Sequence, residues 1–146
     1  MLRQFRQVFN AVKSHFQQVE KSAGLGGAQL WALSIIADNG GIGVGGLASA
    51  LDIHQTTASN LVKSLLAARL VASTREGPDR RTVQLHVLPA GRRVLRRAPG
   101  PFSGVLPEAL ALLDERTLER LHRDLAVLLD TLQTDPRAAR TPLAQI

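Results

Sequence analysis

Residues 47–91 read LASALDIHQTTASNLVKSLLAARLVASTREGPDRRTVQLHVLPAG, from Leu47 to Gly91. A short helix, Val44 to Leu51, meets a tight polar turn. A longer helix follows from about Gln55 to Arg69. There Ala58, Leu61, Val62, Leu65 and Ala68 recur at i, i+3, i+4, i+7 and i+10, a single apolar stripe. The positions between, Gln55, Thr56, Ser59, Asn60 and Lys63, are short, polar or basic, with no acid among them. A face meant only for solvation mixes Glu with Lys; this one suits base edges and phosphates.

The period then changes from helical to alternating. Val71 to Arg75 and Thr82 to Val87 read as two strands, with Val83, Leu85 and Val87 on one face. Between them Glu76-Gly77-Pro78-Asp79-Arg80-Arg81 supplies a turn. The result is a β-hairpin with paired arginines at its tip. Helix, turn, helix and hairpin in this order predict a winged helix-turn-helix. Its second helix would enter the major groove while the wing reaches phosphate or the minor groove.

The run resembles the MarR family of bacterial transcription regulators. The resemblance rests on Leu47-Ala48, the LDIHQTTASNLVKSL run, Leu70-Val71 before the first strand and Asp79-Arg80-Arg81 before the second. It implies that Asp79 buttresses the wing and that Arg81 or Arg80 contacts DNA. His54, Gln55, Thr56, Thr57, Ser59, Asn60, Lys63 and Arg75 complete the expected DNA-binding set. It also implies a homodimeric regulator, a repressor, with a small-molecule effector bound between the DNA-binding lobe and the dimerisation helices. The chain departs from the family pattern at several places. Ser73 stands where Arg is frequent, Arg69 where Gly precedes the leucine–valine pair, and Leu88 where a capping Thr is usual. The glycine-rich run over 40–46 is a further departure.

Composition agrees. The chain has 146 residues, 45% of them hydrophobic, enough for one cored domain with flanking helices. The net charge is +6, yet nine Lys/Arg against two acids fall between His54 and Arg97, so that segment carries +7 and the rest about −1. Charge concentrated on the proposed reading element points to a polyanion. No apolar run is long enough to span a bilayer, and no basic helix carries the broad aromatic face of a membrane-surface binder. There is no cysteine, hence no disulfide frame or thiol redox sensor. The N-terminus lacks a signal peptide's apolar centre, so a cytoplasmic protein is expected.

Outside the winged helix, residues 2–22 predict a helix in which Leu2, Phe5, Phe9, Val12, Phe16 and Val19 alternate steps of three and four. A second helix, Ala28 to about Asp38, is apolar nearly all round and reads as core, with Trp31 among its packing residues. After the wing, Pro89 opens a helix through Arg97. Its Arg92, Arg93, Arg96 and Arg97 share one flank, either beside DNA backbone or simply solvated. Pro99-Gly100-Pro101 and Pro107 mark breaks. The last helix, capped by Asp114 or Thr117, sets Leu118, Leu121, Leu125, Leu128 and Leu132 on another narrow seam. Two such seams bracketing a DNA-binding core argue for dimerisation through Leu2, Phe5, Phe9, Val12 and these five leucines. The expected architecture is mainly α (α+β). Residues 1–24 and 102–134 form a helical dimerisation region, 28–98 the winged helix-turn-helix domain, and 135–146 a flexible tail.

Other chemistries are weak. Gly41-Ile42-Gly43-Val44-Gly45-Gly46 matches GxGxxG, but helices follow it, without the βαβ unit and acid that dinucleotide binding needs. The run reads instead as a flexible connector. Glu119-x-x-His122 has no second pair to hold a metal. Asp52, His54 and Ser59 lack an oxyanion-hole signal. No catalytic residue, metal site or cofactor is expected. The alternative reading is a winged-helix interaction or architectural module without sequence-specific DNA binding.

Overall fold

The computed structural model describes residues 1–75 and 82–145. Seven helices and two strands follow in order: α1 Leu2–Ala23, α2 Gly27–Asp38, α3 Val44–Leu51, α4 Gln55–Ala67, β1 Val71–Thr74, β2 Gln84–Val87, α5 Pro89–Arg97, α6 Val105–Ala111 and α7 Glu115–Thr131. The wing tip, with Asp79, Arg80 and Arg81, lies outside the described residues.

The core gathers around α2, as its all-round apolar sequence predicts. Leu30, Ala32, Leu33 and Ile36 are fully buried, joined by Leu47 and Leu51 of α3 and by Ala58, Leu61, Val62 and Leu65 of α4. Trp31 packs against this cluster, half-buried. The stripe read from α4 is therefore the buried face of that helix, apart from Ala68. That residue caps the helix and is exposed, because α4 ends at Ala67. Just beyond, Arg69 takes a left-handed φ of 56°. That conformation costs an L-residue energy, which explains why glycine suits this position. Leu70 and Val71 then re-enter the core.

β1 and β2 pair antiparallel, with Val71 opposite Val87 and Thr74 opposite Gln84. The glycine-rich run behaves differently from the flexible connector expected of it. Gly41 N–H donates to Leu85 O and Leu85 N–H to Ile42 O, both at 2.9 Å, so the segment forms a β-bridge alongside β2. Gly41, at φ 89°, makes the bend that permits this. Among the described residues the only sheet is this antiparallel pair. The parallel βαβ unit that a dinucleotide site requires is absent from it.

α5 crosses the base of the hairpin, where Leu88 N–H donates to Leu70 O. Gly91 is buried there, and a Cβ at this position would press into the Leu70 carbonyl oxygen and come within 2.8 Å of Val87 Cγ2. Because the first obstacle is backbone, Gly91→Ala is expected to lower stability by about 1–3 kcal/mol, the usual cost of overpacking. An unchanged urea midpoint would mean that α5 lifts away freely.

α7 starts on Asp114, whose Oδ1 accepts from Thr117 N–H at 3.0 Å and whose Oδ2 accepts from Thr117 Oγ1 at 2.8 Å. These bonds, the hydroxyl's first, hold the carboxyl below the usual aspartate range. A depressed native value means the cap's contribution is present above the unfolded-state value and is lost as pH falls through the native one. Titration of the Asp114 carboxyl carbon by NMR should therefore show a midpoint below an ordinary aspartate's; an ordinary midpoint would leave the cap without this effect. Pro107, expected as a boundary, sits inside the first turn of α6, where its missing N–H is one that a helix leaves unpaired anyway.

α7 buries none of its residues in the protomer. Leu125, Val127, Leu129 and Leu132 are exposed. The α1 seam divides: Val19 enters the core and Phe16 is half-buried, while Leu2, Val8 and Phe9 face solvent. Residues 135–145 do not form the loose tail expected. They carry two 3-10 turns, Pro136–Arg140 and Leu143–Gln145, and the second returns to pack against α1 and α2 with Pro142 buried.

Candidate nucleic-acid interface

α3 and α4 meet through Asp52, left-handed at φ 51°, and Ile53, whose buried side chain anchors the turn. Asp52 caps α3 while His54, extended, opens α4. The turn is tight because Ile53 N–H donates back to Ala48 O at 3.0 Å. With Ala58, Leu61, Val62 and Leu65 turned inward, helical geometry projects the intervening positions outward.

His54, Gln55, Thr56, Asn60 and Lys63 are all exposed; Thr57 and Ser59 are half-buried beside them. The described part of the predicted set thus gathers on one side of α4 and at its N-terminus. Arg75, at the end of β1, is exposed as well. Of the wing, Asp79, Arg80 and Arg81 lie outside the described residues. Among the described residues the only ion pair joins Arg137 Nε and Asp135 Oδ1 at 3.8 Å, so Lys63 has no described carboxylate partner. Lys63, beside amide and hydroxyl groups on a helix face with no acid, presents donors and positive potential outward. Asn60 has the donor and acceptor pattern to read adenine in the major groove, and Lys63 has the charge to hold a phosphate.

The α5 arginines, Arg92, Arg93, Arg96 and Arg97, are exposed on the flank away from buried Gly91 and Val94. Arg96 and Arg97 stand in the last turn, where positive charge complements the helix dipole. Their exposure fits both expectations, solvation and a place beside DNA backbone.

One contact behind the interface has no signal in the apolar pattern. Gln29 on α2 accepts from Gly26 N–H through Oε1 at 3.0 Å, and its Nε2 donates to Ser64 Oγ on α4. A single amide so ties the N-terminus of α2 to α4. The Gly26-x-x-Gln29 spacing matches the glutamine half of a capping box, glycine having no side chain to return the bond, and is the one trace the contact leaves in the sequence.

No group of three or more His, Cys, Asp or Glu among the described residues is placed to hold a metal. A cleft of about 420 Å³ opens between α1 and the start of α2, lined by Phe9, Val12, Phe16, Leu106, Leu143 and Ala144, with Lys13 and Glu20 also at its walls.

A family model described as MarR family matches residues 23–82. No curated protein sequence matches the chain. Among solved structures, the chain is similar to a MepR–DNA complex from Staphylococcus aureus at 20% identity and TM-score 0.62, covering 89% of this chain and 96% of that one. It is similar to a MepR-like protein complexed with pseudoligands at 17% identity and TM-score 0.61, over 88% and 92% of the two chains. It is also similar to the transcriptional regulator BldR from Sulfolobus solfataricus at 22% identity and TM-score 0.58, over 89% and 92%. These likenesses establish the winged-helix fold.

Proposed function

We propose that this chain, whose residues 23–82 match the MarR family model, is a MarR-family transcription regulator that binds double-stranded DNA sequence-specifically. In this reading it is a repressor that acts as a homodimer on a pseudo-palindromic operator. The observation that carries it is the outward face of α4, where Gln55, Thr56, Asn60 and Lys63 are exposed with no acid among them. MepR, crystallised with DNA, offers a precedent on the same fold.

The dimer follows from reach and from surface. One recognition helix reads a few base pairs, whereas two on a two-fold axis read half-sites about 34–36 Å apart. α7 and the first half of α1 offer the apolar surface for it: Leu2, Phe5, Phe9 and Val12 with Leu118, Leu121, Leu125, Leu128 and Leu132. Leu2, Phe9, Leu125 and Leu132 are exposed and the other five half-buried, and apolar side chains left open to solvent in this way mark an interaction site. The 102–134 and 1–24 segments are accordingly assigned to dimerisation and 28–98 to DNA. Arg80 and Arg81, with Asp79 in support, are assigned to the wing contact on sequence grounds.

A small-molecule effector belongs to the same proposal, and the cleft beside Phe9, Val12 and Phe16 suits an apolar or aromatic one. Coupling of about 1–3 kcal/mol is enough to shift operator affinity 5–150-fold. No helix among the described residues is long and apolar enough to cross a membrane, and a cytoplasmic location is proposed with the function. The proposal gives the chain no catalytic role. The rival interaction module calls for an apolar or acidic face on α4, opposite to the residues there.

Selection of bound sequences from random duplex DNA, at about physiological salt, tests the proposal. An inverted repeat is the expected product. Salt-sensitive binding without sequence preference would assign the fold to an architectural or interaction role.

A further inference from the structure

The end of the chain is docked where nothing in its composition asks it to be. Pro142 is buried between exposed Thr141 and exposed Leu143. Ala144 packs against the core cluster, and the Leu143–Gln145 turn sits on both α1 and α2. Glycine at position 27 makes the seat possible: a Cβ there would collide with the Phe16 ring and stand 2.9 Å from Ala144 Cβ. Leu143 and Ala144 thereby form one wall of the apolar cleft whose opposite wall is Phe9, Val12 and Phe16.

The same place is one end of the link to the recognition helix. Gly26 and Gly27 line the cleft, Gly26 N–H is held by Gln29, and Gln29 donates to Ser64 on α4. We propose that the C-terminal turn Leu143–Gln145 is a built-in ligand of the α1/α2 cleft. Seated, it fixes the N-terminus of α2 and, through Gln29 and Ser64, the set of α4. A compact apolar molecule that enters the cleft competes with Leu143 and Ala144 for the same wall. The tail, tethered to α7, is then the element that reports occupancy of the cleft to the DNA-reading helix. The second half of this inference rests on the DNA-binding reading above; the first half does not.

Three forms separate the two halves: the full chain, a chain ending at Asp135, and the full-length Ala144→Asp variant. The last places a charge on the apolar wall without removing any of the chain. The probes are the apolar dye anilinonaphthalene sulfonate, amide exchange at Ala28–Leu30, and affinity for the selected operator. Both altered chains should bind the dye more strongly and exchange faster at Ala28–Leu30. Both should bind operator about 5-fold or more weakly, the lower end of ordinary site coupling. A peptide spanning residues 136–146, added to the truncated chain, should reverse all three changes. Unchanged dye binding and exchange in both chains would overturn the built-in ligand. Raised dye binding with operator affinity intact would overturn the link through Gln29. A full chain that selects no operator removes the DNA-binding premise, and the dye and exchange results then still judge the seat itself.

Discussion

Replacing Leu121 and Leu125 together with aspartate should turn the protein from dimer to monomer in sedimentation equilibrium and abolish recovery of an inverted repeat. The two leucines appear twice in a dimer. Leu121 is half-buried and Leu125 only 37% exposed in the protomer, so about a third of each side chain is left to bury, and four of them contribute about 2–4 kcal/mol. That is roughly one and a half to three decades in the dissociation constant, before any cost of bringing aspartates together. The protomer itself should survive. Leu121 is half-buried, yet no residue of α7 belongs to the buried core, so a charge there leaves Leu30, Leu33, Ile36, Leu47 and Leu65 in place. Circular dichroism of the variant should stay close to that of the parent apart from α7. A dimer that persists at micromolar concentration would move the interface off this helix.

The same α7 leucines illustrate what a sequence can reveal about a fold. Steps of three and four along Leu118, Leu121, Leu125, Leu128 and Leu132 are a local property, and so is the α4 stripe of Ala58, Leu61, Val62 and Leu65. Local periodicity reports which face of an element is apolar, and for α4 that face is buried as read. It does not report what covers the face. The α1 seam shows the difference, since Val19 goes into the protomer's own core while Leu2 and Phe9 remain exposed on the same helix.

Features fixed by distant neighbours were harder to see. The glycines over 40–46 resemble a flexible connector until β2 is beside them, and only then does Gly41 pair with Leu85. The TDPRAARTPLAQI ending is polar and proline-bearing, the composition of a tail. Its seat depends on a missing Cβ at Gly27, more than a hundred residues away in the chain. Gln29 and Ser64 are polar residues flanking apolar stripes, positions that a periodicity argument treats as solvent. Their hydrogen bond is a tertiary fact. The outward polar set on α4 is legible for the opposite reason: what marks it is a helix face without acids, a property of the sequence itself.

That face carries the second large effect. Asn60→Ala should weaken binding to the selected operator by about 1–3 kcal/mol, or roughly 5–150-fold, the discrimination contributed by a good bidentate base contact. It should leave binding to unrelated duplex nearly unchanged, because an amide adds little to the phosphate term. Lys63→Ala should do the reverse: affinity falls for every sequence, and the slope of log affinity against log salt flattens by about 0.9 for the one phosphate released. Both side chains are exposed, so neither substitution opens a cavity, and alanine favours the helix. The two outcomes are separable within a single titration series, operator and unrelated duplex at several salt concentrations. If Asn60→Ala weakened both duplexes alike, its amide would be touching backbone rather than bases. Sequence reading would then fall to Ser59 beside it and to Gln55 and Thr56, about one turn nearer the N-terminus of α4. If Lys63→Ala left the slope unchanged, α4 would approach the groove by its N-terminal turn alone. The electrostatic share of binding would then have to come from the basic residues of the wing.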